Sequence, residues 1–335
     1  MAHSPDYEHF ASEMTQPTPH PLFLSLSSSA EIMLRSKDNV LFCVSAETLS
    51  RASAWFRTML TLPQTSVEPT KEAIPMDENG DVIAGLLSIV SGMDFPELDD
   101  IDRLDAILKA ADKYEMPLAI TTLRTALFSP FLSASPIRLY GIACRMSWAK
   151  EAKLASSRTL TLDLLSPDVM SELVELEPAP RARLLALHRR RRDALAEGLD
   201  DTTIFYANVR GTPCNRNDGV NRCTAPLDHG AWAAFKYAFI RRVERGLVGA
   251  ELDADFYRMR ELWDLRMAHC VACKRIVYNM PNTLENLQKL VKELPKSVEV
   301  SGSCVCPSPA AWWAGRSSLI VCDSGHDELS AESVL

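Results

Sequence analysis

Short apolar runs separated by polar turns fill the first third of the chain. Two runs rich in β-branched and other apolar residues, 32–35 and 40–44, flank a polar turn that ends at Asn39. Because asparagine tolerates a left-handed backbone, this pattern predicts a β-hairpin. Ser45 stands at an N-cap position, and apolar residues then recur at helical spacing as far as Pro63. One continuous helix is therefore predicted after the hairpin.

The next segments mix one strand with several helices. The pattern predicts a short strand over 73–76 and an amphipathic helix over 82–90, which Gly92 is placed to end. Acidic residues crowd the stretch 97–105, where carboxylates complement the dipole at the start of a helix. Pro117 opens a further helix, because proline suits a first helical turn.

Helical periodicity dominates the remainder of the chain. Ser135-Pro136 and Ser166-Pro167 each place an N-cap residue before a proline. The segment 200–228 contains scattered glycines and prolines, which predict a long irregular link. The predicted helices cover 137–146, 148–162, 181–199, 229–246, 251–268 and 282–294.

Together these elements predict an α+β fold, a small sheet packed with helices, followed by an all-helical extension. The Pro-rich, polar start predicts a disordered tail. The predicted divisions are a tail over 1–24, the α+β domain over 25–130, a helical extension over 131–199, the irregular link over 200–228, a helical cysteine-containing region over 229–300 and a weakly structured tail over 301–335.

Composition bounds the class of protein. Hydrophobic residues make up 47% of the 335 and charged residues 24%, as in ordinary globular domains. A formal net charge of -8 gives the whole chain no attraction to polyanions. No apolar run reaches the roughly 18 residues of a membrane span, and the start lacks a secretory signal. Nine scattered cysteines predict reduced thiols, hence a cytoplasmic or nuclear protein.

Four stretches occur in the order typical of one known family. The string EIMLRSKDNVLFCVS at 31–45 resembles the opening hairpin of BTB/POZ domains, especially those of the large fungal group. Residues 49–60 resemble the helix that follows that hairpin. The Ala-Asp-Lys-Tyr run within 107–116 is similar to a late helix, and 137–145 is similar to the helix that starts the extension behind the domain. The resemblance covers about residues 29–165.

This resemblance implies a protein-interaction protein rather than an enzyme, namely a homodimerising scaffold or adaptor. Glu31 stands where the family usually has Asp, and Ser45-Ala46 where it has His-Lys. Some members recruit a cullin ubiquitin-ligase scaffold through an apolar-x-Glu motif in the loop that corresponds to 62–72, and this loop lacks the motif. A cullin-ligase substrate adaptor is therefore the first alternative function.

Familiar catalytic motifs are missing from the sequence. It contains no glycine-rich phosphate loop, zincin helix or nucleophile elbow. The acidic stretch 97–105 can be interpreted as a cation site, but a solvated helix start explains it better. No catalytic residue and no cofactor is expected, and zinc is the one candidate considered.

The cysteine spacing carries the sharpest chemical hypothesis. Cys270 and Cys273 have the two-residue separation with which two thiolates bind one zinc ion. Cys214 and Cys223, in the irregular link, are candidates for the other two ligands, and a metal would constrain that link. Buried structural thiols are the competing interpretation, and a redox pair is a third. A zinc-stabilised binding module is thus the second alternative function. Candidates with looser spacing are Cys304, Cys306, Cys322 and His326.

A basic run lies on the predicted helix 181–199. The four consecutive arginines from Arg189 to Arg192 are typical of a nuclear import signal or of a surface that binds anions. The competing interpretation is a solvated helix face whose arginines pair with nearby acids. No aromatic residues interleave with the run, so nucleic acid is not an expected partner.

Aromatic and apolar residues recur at helical spacing over 232–243 and again over 256–263. Packing between helices is their expected role, and a groove for a partner peptide is the alternative. Trp312-Trp313 lie in a Pro-rich context, where they either cap the helical core or form a contact point.

Overall fold

A computed structural model of the chain describes residues 17–24, 31–62, 73–94, 100–129, 135–209, 211, 213–215, 222–246 and 252–299. The chain divides into two compact units, 1–300 and 301–335, and every described residue belongs to the first. Within the described ranges the fold is α+β and mostly helical. No described helix has the length and apolar content needed to span a membrane.

The sheet has four strands in the order β1-β3-β2-β4. A hairpin forms its centre, in which Leu34 opposes Phe42 across an antiparallel pair. Asn39 has a φ of 64°, so the left-handed turn predicted there is confirmed. The two outer strands run parallel to their neighbours. The strands are β1 (Thr18–Pro19), β2 (Glu31–Arg35), β3 (Val40–Ser45) and β4 (Ile74–Pro75).

Residues 17–24 depart from the disordered tail predicted over 1–24. Thr18 N donates to Asn39 O at 3.1 Å and His20 N to Leu41 O at 2.8 Å, which pairs β1 with β3. Phe23 is buried against the sheet. The prolines concealed this strand in the sequence because each lacks an N–H donor, whereas Thr18 and His20 supply donors on the paired side.

The single helix predicted after the hairpin is two helices, α1 (Ala46–Ala52) and α2 (Ala54–Thr61). Ser53 separates them with an extended backbone, and its Oγ accepts from Phe56 N at 3.0 Å. The same hydroxyl donates to Tyr114 O at 2.5 Å. Ser53 thus caps α2 and ties it to a segment 61 residues away, a tertiary contact that helical spacing cannot reveal.

The helices predicted between the sheet and residue 175 are present. Asp100 accepts from Asp102 N at 2.8 Å and so caps α4. Asp102 and Asp105 pair with Arg138 and Arg145 of α6, so the described carboxylates of the acidic stretch join two helices. The helices are α3 (Gly80–Val90), α4 (Ile101–Lys113), α5 (Pro117–Leu127), α6 (Pro136–Arg145), α7 (Ala149–Arg158) and α8 (Pro167–Glu175), and a 3-10 turn (Thr159–Thr161) follows α7.

Two hydrophobic cores share one long helix, α9 (Pro178–Asp200). Leu184 and Leu187 belong to the front core, which begins at Phe23. Leu195 and Leu199 belong to the rear core. The domain boundary predicted at 130 therefore does not separate two cores, because α6 to α9 pack onto the same core as the sheet.

The rear core contains four further helices, α10 (Gly230–Glu244), α11 (Ala254–Tyr257), α12 (Arg260–Arg266) and α13 (Met280–Glu293). The single helix predicted over 251–268 is thus wrong. It divides because Met259 adopts an extended backbone and is itself buried in the rear core. The predicted link 200–228 is mostly irregular where it is described, with a 3-10 turn (Tyr206–Asn208).

Candidate metal centre

Two short antiparallel bridges carry the four candidate cysteines. In the first, Pro213 pairs with Pro226. Cys214 N donates to Ala225 O at 2.9 Å, and Asn215 N donates to Cys223 O at the same distance. These bonds hold Cys214 and Cys223 beside each other even though both lie in an irregular segment.

The second bridge pairs His269 with Ile276 and closes the loop that carries Cys270 and Cys273. Cys270 N donates to Arg275 O at 2.9 Å, and Lys274 N donates back to Cys270 O at 2.9 Å. Lys274 has a φ of 58°, so the chain turns through a left-handed residue directly after the second cysteine. The two-residue cysteine spacing therefore lies in a tight turn.

The two loops bring their four sulfur atoms together. The Sγ atoms of Cys214 and Cys273 are 3.6 Å apart, and those of Cys223 and Cys270 are 3.9 Å apart. All four Sγ atoms lie within 4.8 Å of one another. A tetrahedral zinc ion with bonds of about 2.3 Å separates its sulfur ligands by about 3.8 Å. The four thiols thus have the spacing of a zinc tetrahedron.

The backbone around Cys270 favours its ionised form. Hydrogen bonds from the N–H groups of Cys273 and then of Ala272 lower the pKa of the Cys270 thiol to about 6. The thiolate is the form that binds metals, so the lowered pKa favours metal binding by Cys270. Four thiolates around one ion leave no coordination position for a substrate, which is typical of structural rather than catalytic zinc.

The competing interpretation, buried thiols that only pack, fits one of the four residues. Cys270 is buried, whereas Cys214, Cys223 and Cys273 are half-buried. The sulfur separations exceed the roughly 2.05 Å of a disulfide bond. The candidates with looser spacing (Cys304, Cys306, Cys322 and His326) and Trp312-Trp313 lie outside the described residues.

An aromatic cluster that the sequence did not single out supports the second loop. Tyr206 donates its hydroxyl to Val277 O at 2.5 Å. His229 and the Tyr278 hydroxyl are within hydrogen-bond distance at 2.9 Å, and burial raises the pKa of Tyr278. These contacts attach the end of the Cys270–Cys273 loop to the 3-10 turn and to the start of α10. Helical spacing gave no signal for them, because Tyr206 lies in an isolated 3-10 turn and His229 directly precedes α10.

The arginine run is only partly the solvated face that was expected. Arg190 pairs with Glu299 at 3.2 Å and Arg192 with Asp193 at 2.6 Å, as predicted for such a face. Arg191, however, is only 2% exposed, and its NH1 donates to Pro295 O at 3.0 Å. The prediction is wrong at Arg191, because the chain returns over α9 at residue 295 and covers this guanidinium.

The aromatic spacing gave one correct and one incorrect expectation. Trp232, Phe235 and Phe239 of α10 are buried in the rear core, which confirms core packing there. Trp263 of α12 is 60% exposed, so its expected place in the core is wrong. Its neighbour Leu262 fills the core position instead.

Comparison with known proteins adds no family to these observations. No protein-family model matches the chain, and no curated protein matches it.

Proposed function

We propose that this chain is a non-enzymatic protein-interaction protein whose rear module folds around a structural zinc ion. The rear module is defined as residues 195–294, from the first to the last buried residue of the rear core. The convergence of four Sγ atoms within 4.8 Å, from two loops far apart in sequence, carries this proposal. Soft thiolate ligands select zinc rather than calcium or magnesium.

The rear module has a structural need for such an ion. Between α9 and α10 the described chain contributes only Phe205 and Ala207 as fully buried residues of the rear core. Structural zinc contributes about 10–16 kcal/mol in zinc-finger peptides, and an average domain is stable by about 5–15 kcal/mol. An ion at the four cysteines is therefore large enough to decide whether the rear module folds.

For the front of the chain we propose a BTB/POZ-like module that mediates self-association. The hairpin β2–β3, the pair α1–α2 and the helices α4 and α6 support this proposal, because these element types lie at the four stretches that resemble the family. A cullin-ligase adaptor is the less favoured alternative, since the loop 62–72 lacks the apolar-x-Glu motif.

Metal analysis of the purified full-length chain tests the zinc proposal. We expect about one zinc ion per chain in the wild type and below about 0.2 in the Cys270→Ser/Cys273→Ser variant. The matched control is Cys43→Ser, which removes a half-buried thiol of β3 and should leave the zinc content unchanged. A wild-type chain purified without chelators that contains less than about 0.2 zinc would overturn the proposal.

Light scattering coupled to size exclusion tests self-association on the same protein. We expect a dimer at micromolar concentration for the wild type and also for the Cys270→Ser/Cys273→Ser variant, because the proposed contact lies in the front of the chain. A monomeric wild type would contradict self-association. If the wild type is a dimer and the cysteine variant is a monomer, the dimer contact lies in the rear module instead.

A further inference from the structure

Large apolar side chains remain exposed along one short stretch of the rear module. Trp263 is 60% exposed and Met267 51%, at the end of α12. Val271 is 70% exposed and Ile276 50%, on the loop that carries Cys270 and Cys273. Single exposed apolar residues are ordinary, but a group of them beside a groove is typical of an interaction site.

A groove runs between α12 and the start of α13, and we name it the α12–α13 groove. It consists of two adjoining cavities of about 220 Å³ and about 340 Å³, which share Arg266, Met280 and Pro281. The smaller cavity lies below the roughly 300–1,000 Å³ of small-molecule sites and the larger one at the lower end of that range, and both volumes also suit the side chains of a bound peptide. The remaining lining residues are Tyr257, Leu262, Trp263 and Leu284 in the smaller cavity, and Ile276, Tyr278 and Asn279 in the larger.

Arg266 is the one charged residue among those that line the groove. The nearby Arg258 and Arg260 pair with carboxylates at 3.6 and 3.7 Å. No carboxylate of the described ranges lies within the 4.0 Å ion-pair distance of Arg266. Arg266 is itself exposed at the groove, so its guanidinium is accessible to a carboxylate of a binding partner.

We propose that the α12–α13 groove binds an acidic peptide segment of a partner protein. Apolar side chains of that segment pack on Trp263 and Ile276, and one of its carboxylates pairs with Arg266. Tryptophan and arginine are the residue types that most often dominate binding energy in interfaces. This inference rests on the proposed zinc centre, because Ile276 is held by the bridge that closes the Cys270–Cys273 loop.

A second copy of this chain is a poorer occupant on charge grounds. A two-fold contact of the groove with itself would bring the two Arg266 cations face to face. Like charges in a desolvated contact are costly. An acidic segment instead brings a carboxylate to this exposed cation.

A random twelve-residue peptide library displayed on phage, selected against the full-length wild-type chain, is the test. We expect enriched peptides that combine Asp or Glu with Leu, Phe or Trp. Their Kd should rise at least about tenfold in Trp263→Ala and in Arg266→Glu. Replacing the peptide's acidic residue by Lys should restore binding to Arg266→Glu, because the charge pair is then reversed.

The matched control is Tyr237→Ala, which removes a 69% exposed aromatic side chain of α10 outside the groove and should leave Kd unchanged. No enrichment, enriched peptides without acids, or equal binding to all variants would overturn the proposal. A wild-type dimer that Trp263→Ala converts to monomer would also overturn it, in favour of a second copy.

Zinc content measured on every preparation separates this inference from the proposed function. If the wild-type chain contains zinc but no peptide is selected, the proposal for the groove is wrong and the proposal for the zinc centre stands. If selected peptides bind a wild-type chain that contains no zinc, the proposal for the zinc centre is wrong and the proposal for the groove stands. Variants that keep the wild-type zinc content show that a lost affinity reflects the groove and not unfolding.

Discussion

The front and rear cores reach a packed interior by different means. Among the described residues, the front core contains thirty-seven buried hydrophobic residues, most of them in the sheet and in α1 to α9, together with Val298. The rear core contains seventeen, six of them aromatic, and irregular segments join several of its helices. Helices supply most of both cores, but the rear core is less than half the size of the front core, and aromatic rings make up a larger share of it. A small core with long irregular connections is where a metal ion contributes most.

Chelation of zinc should give the largest difference in stability between the two cores. Removing zinc from the wild type with a strong chelator should raise amide hydrogen exchange throughout the rear module and leave β2, β3 and α4 protected. We expect the rear module to lose on the order of 10 kcal/mol of its free energy of unfolding and the front core to lose none. Hydrogen-exchange mass spectrometry with and without chelator measures it. Uniform protection after chelation, or equal loss in both cores, would contradict the distinction.

Two matched cavity mutations should give the next largest effects. Phe42 and Phe239 are both 0% exposed, one in each core. Each change to alanine should lower the free energy of unfolding by about 3–5 kcal/mol, which urea denaturation measures. Phe239→Ala should also accelerate zinc loss to a chelator, whereas Phe42→Ala should not. Equal zinc loss in the two variants would mean that the rear core does not support the metal loops.

Acidification should give a smaller effect, through His188 of α9. Burial, and then the charge of Arg191, lower the pKa of His188 to about 4, against 6.5 in an unfolded chain. Between these values the folded state binds fewer protons, so stability is complete above about pH 6.5 and falls as the pH drops towards 4.

Because of His188, the free energy of unfolding at pH 5 should be about 2 kcal/mol lower than at pH 7.5. His188→Gln, which keeps a polar partner for Thr159, should abolish that part of the loss. Both proteins contain the cysteine loops, so the difference between their urea midpoints at the two pH values isolates His188. Identical pH dependence in the two proteins would contradict the assignment.

The smallest expected effect concerns the return of the chain to the front core. Val298 N donates to Ser156 Oγ at 3.1 Å, and both residues are buried. Ser156→Ala removes this acceptor and should cost about 1 kcal/mol. Faster exchange of the Val298 amide, with unchanged zinc content, is the expected result. Ser157→Ala, at an exposed hydroxyl on the same helix, is the control.

Local signals explain what the sequence predicted correctly. Asn39 marks the turn of the hairpin, and the prolines at 117, 136 and 167 mark helix starts, because these residues restrict the backbone wherever they occur. The breaks at Ser53 and Met259 were missed because they depend on contacts with distant segments. Arg191 was misassigned for the same reason, since Pro295 covers it.

The candidate metal centre was half visible in the sequence. The two-residue spacing of Cys270 and Cys273 is a local pattern, and it predicted a ligand pair directly. Cys214 and Cys223 were candidates only because a metal would constrain the irregular link, since the eight residues between them follow no ligand spacing. Their approach to the second loop depends on the aromatic contacts of Tyr206 and Tyr278, which no spacing rule contains.

Helix α9 fixes the distance between the two ends of the molecule's first unit. Its 23 residues correspond to about 34 Å at 1.5 Å per residue. Because one end is embedded in each core, it acts as a rigid spacer rather than a hinge. A peptide held by the α12–α13 groove would therefore be presented at a set span from the sheet, and from whatever the front of the chain binds.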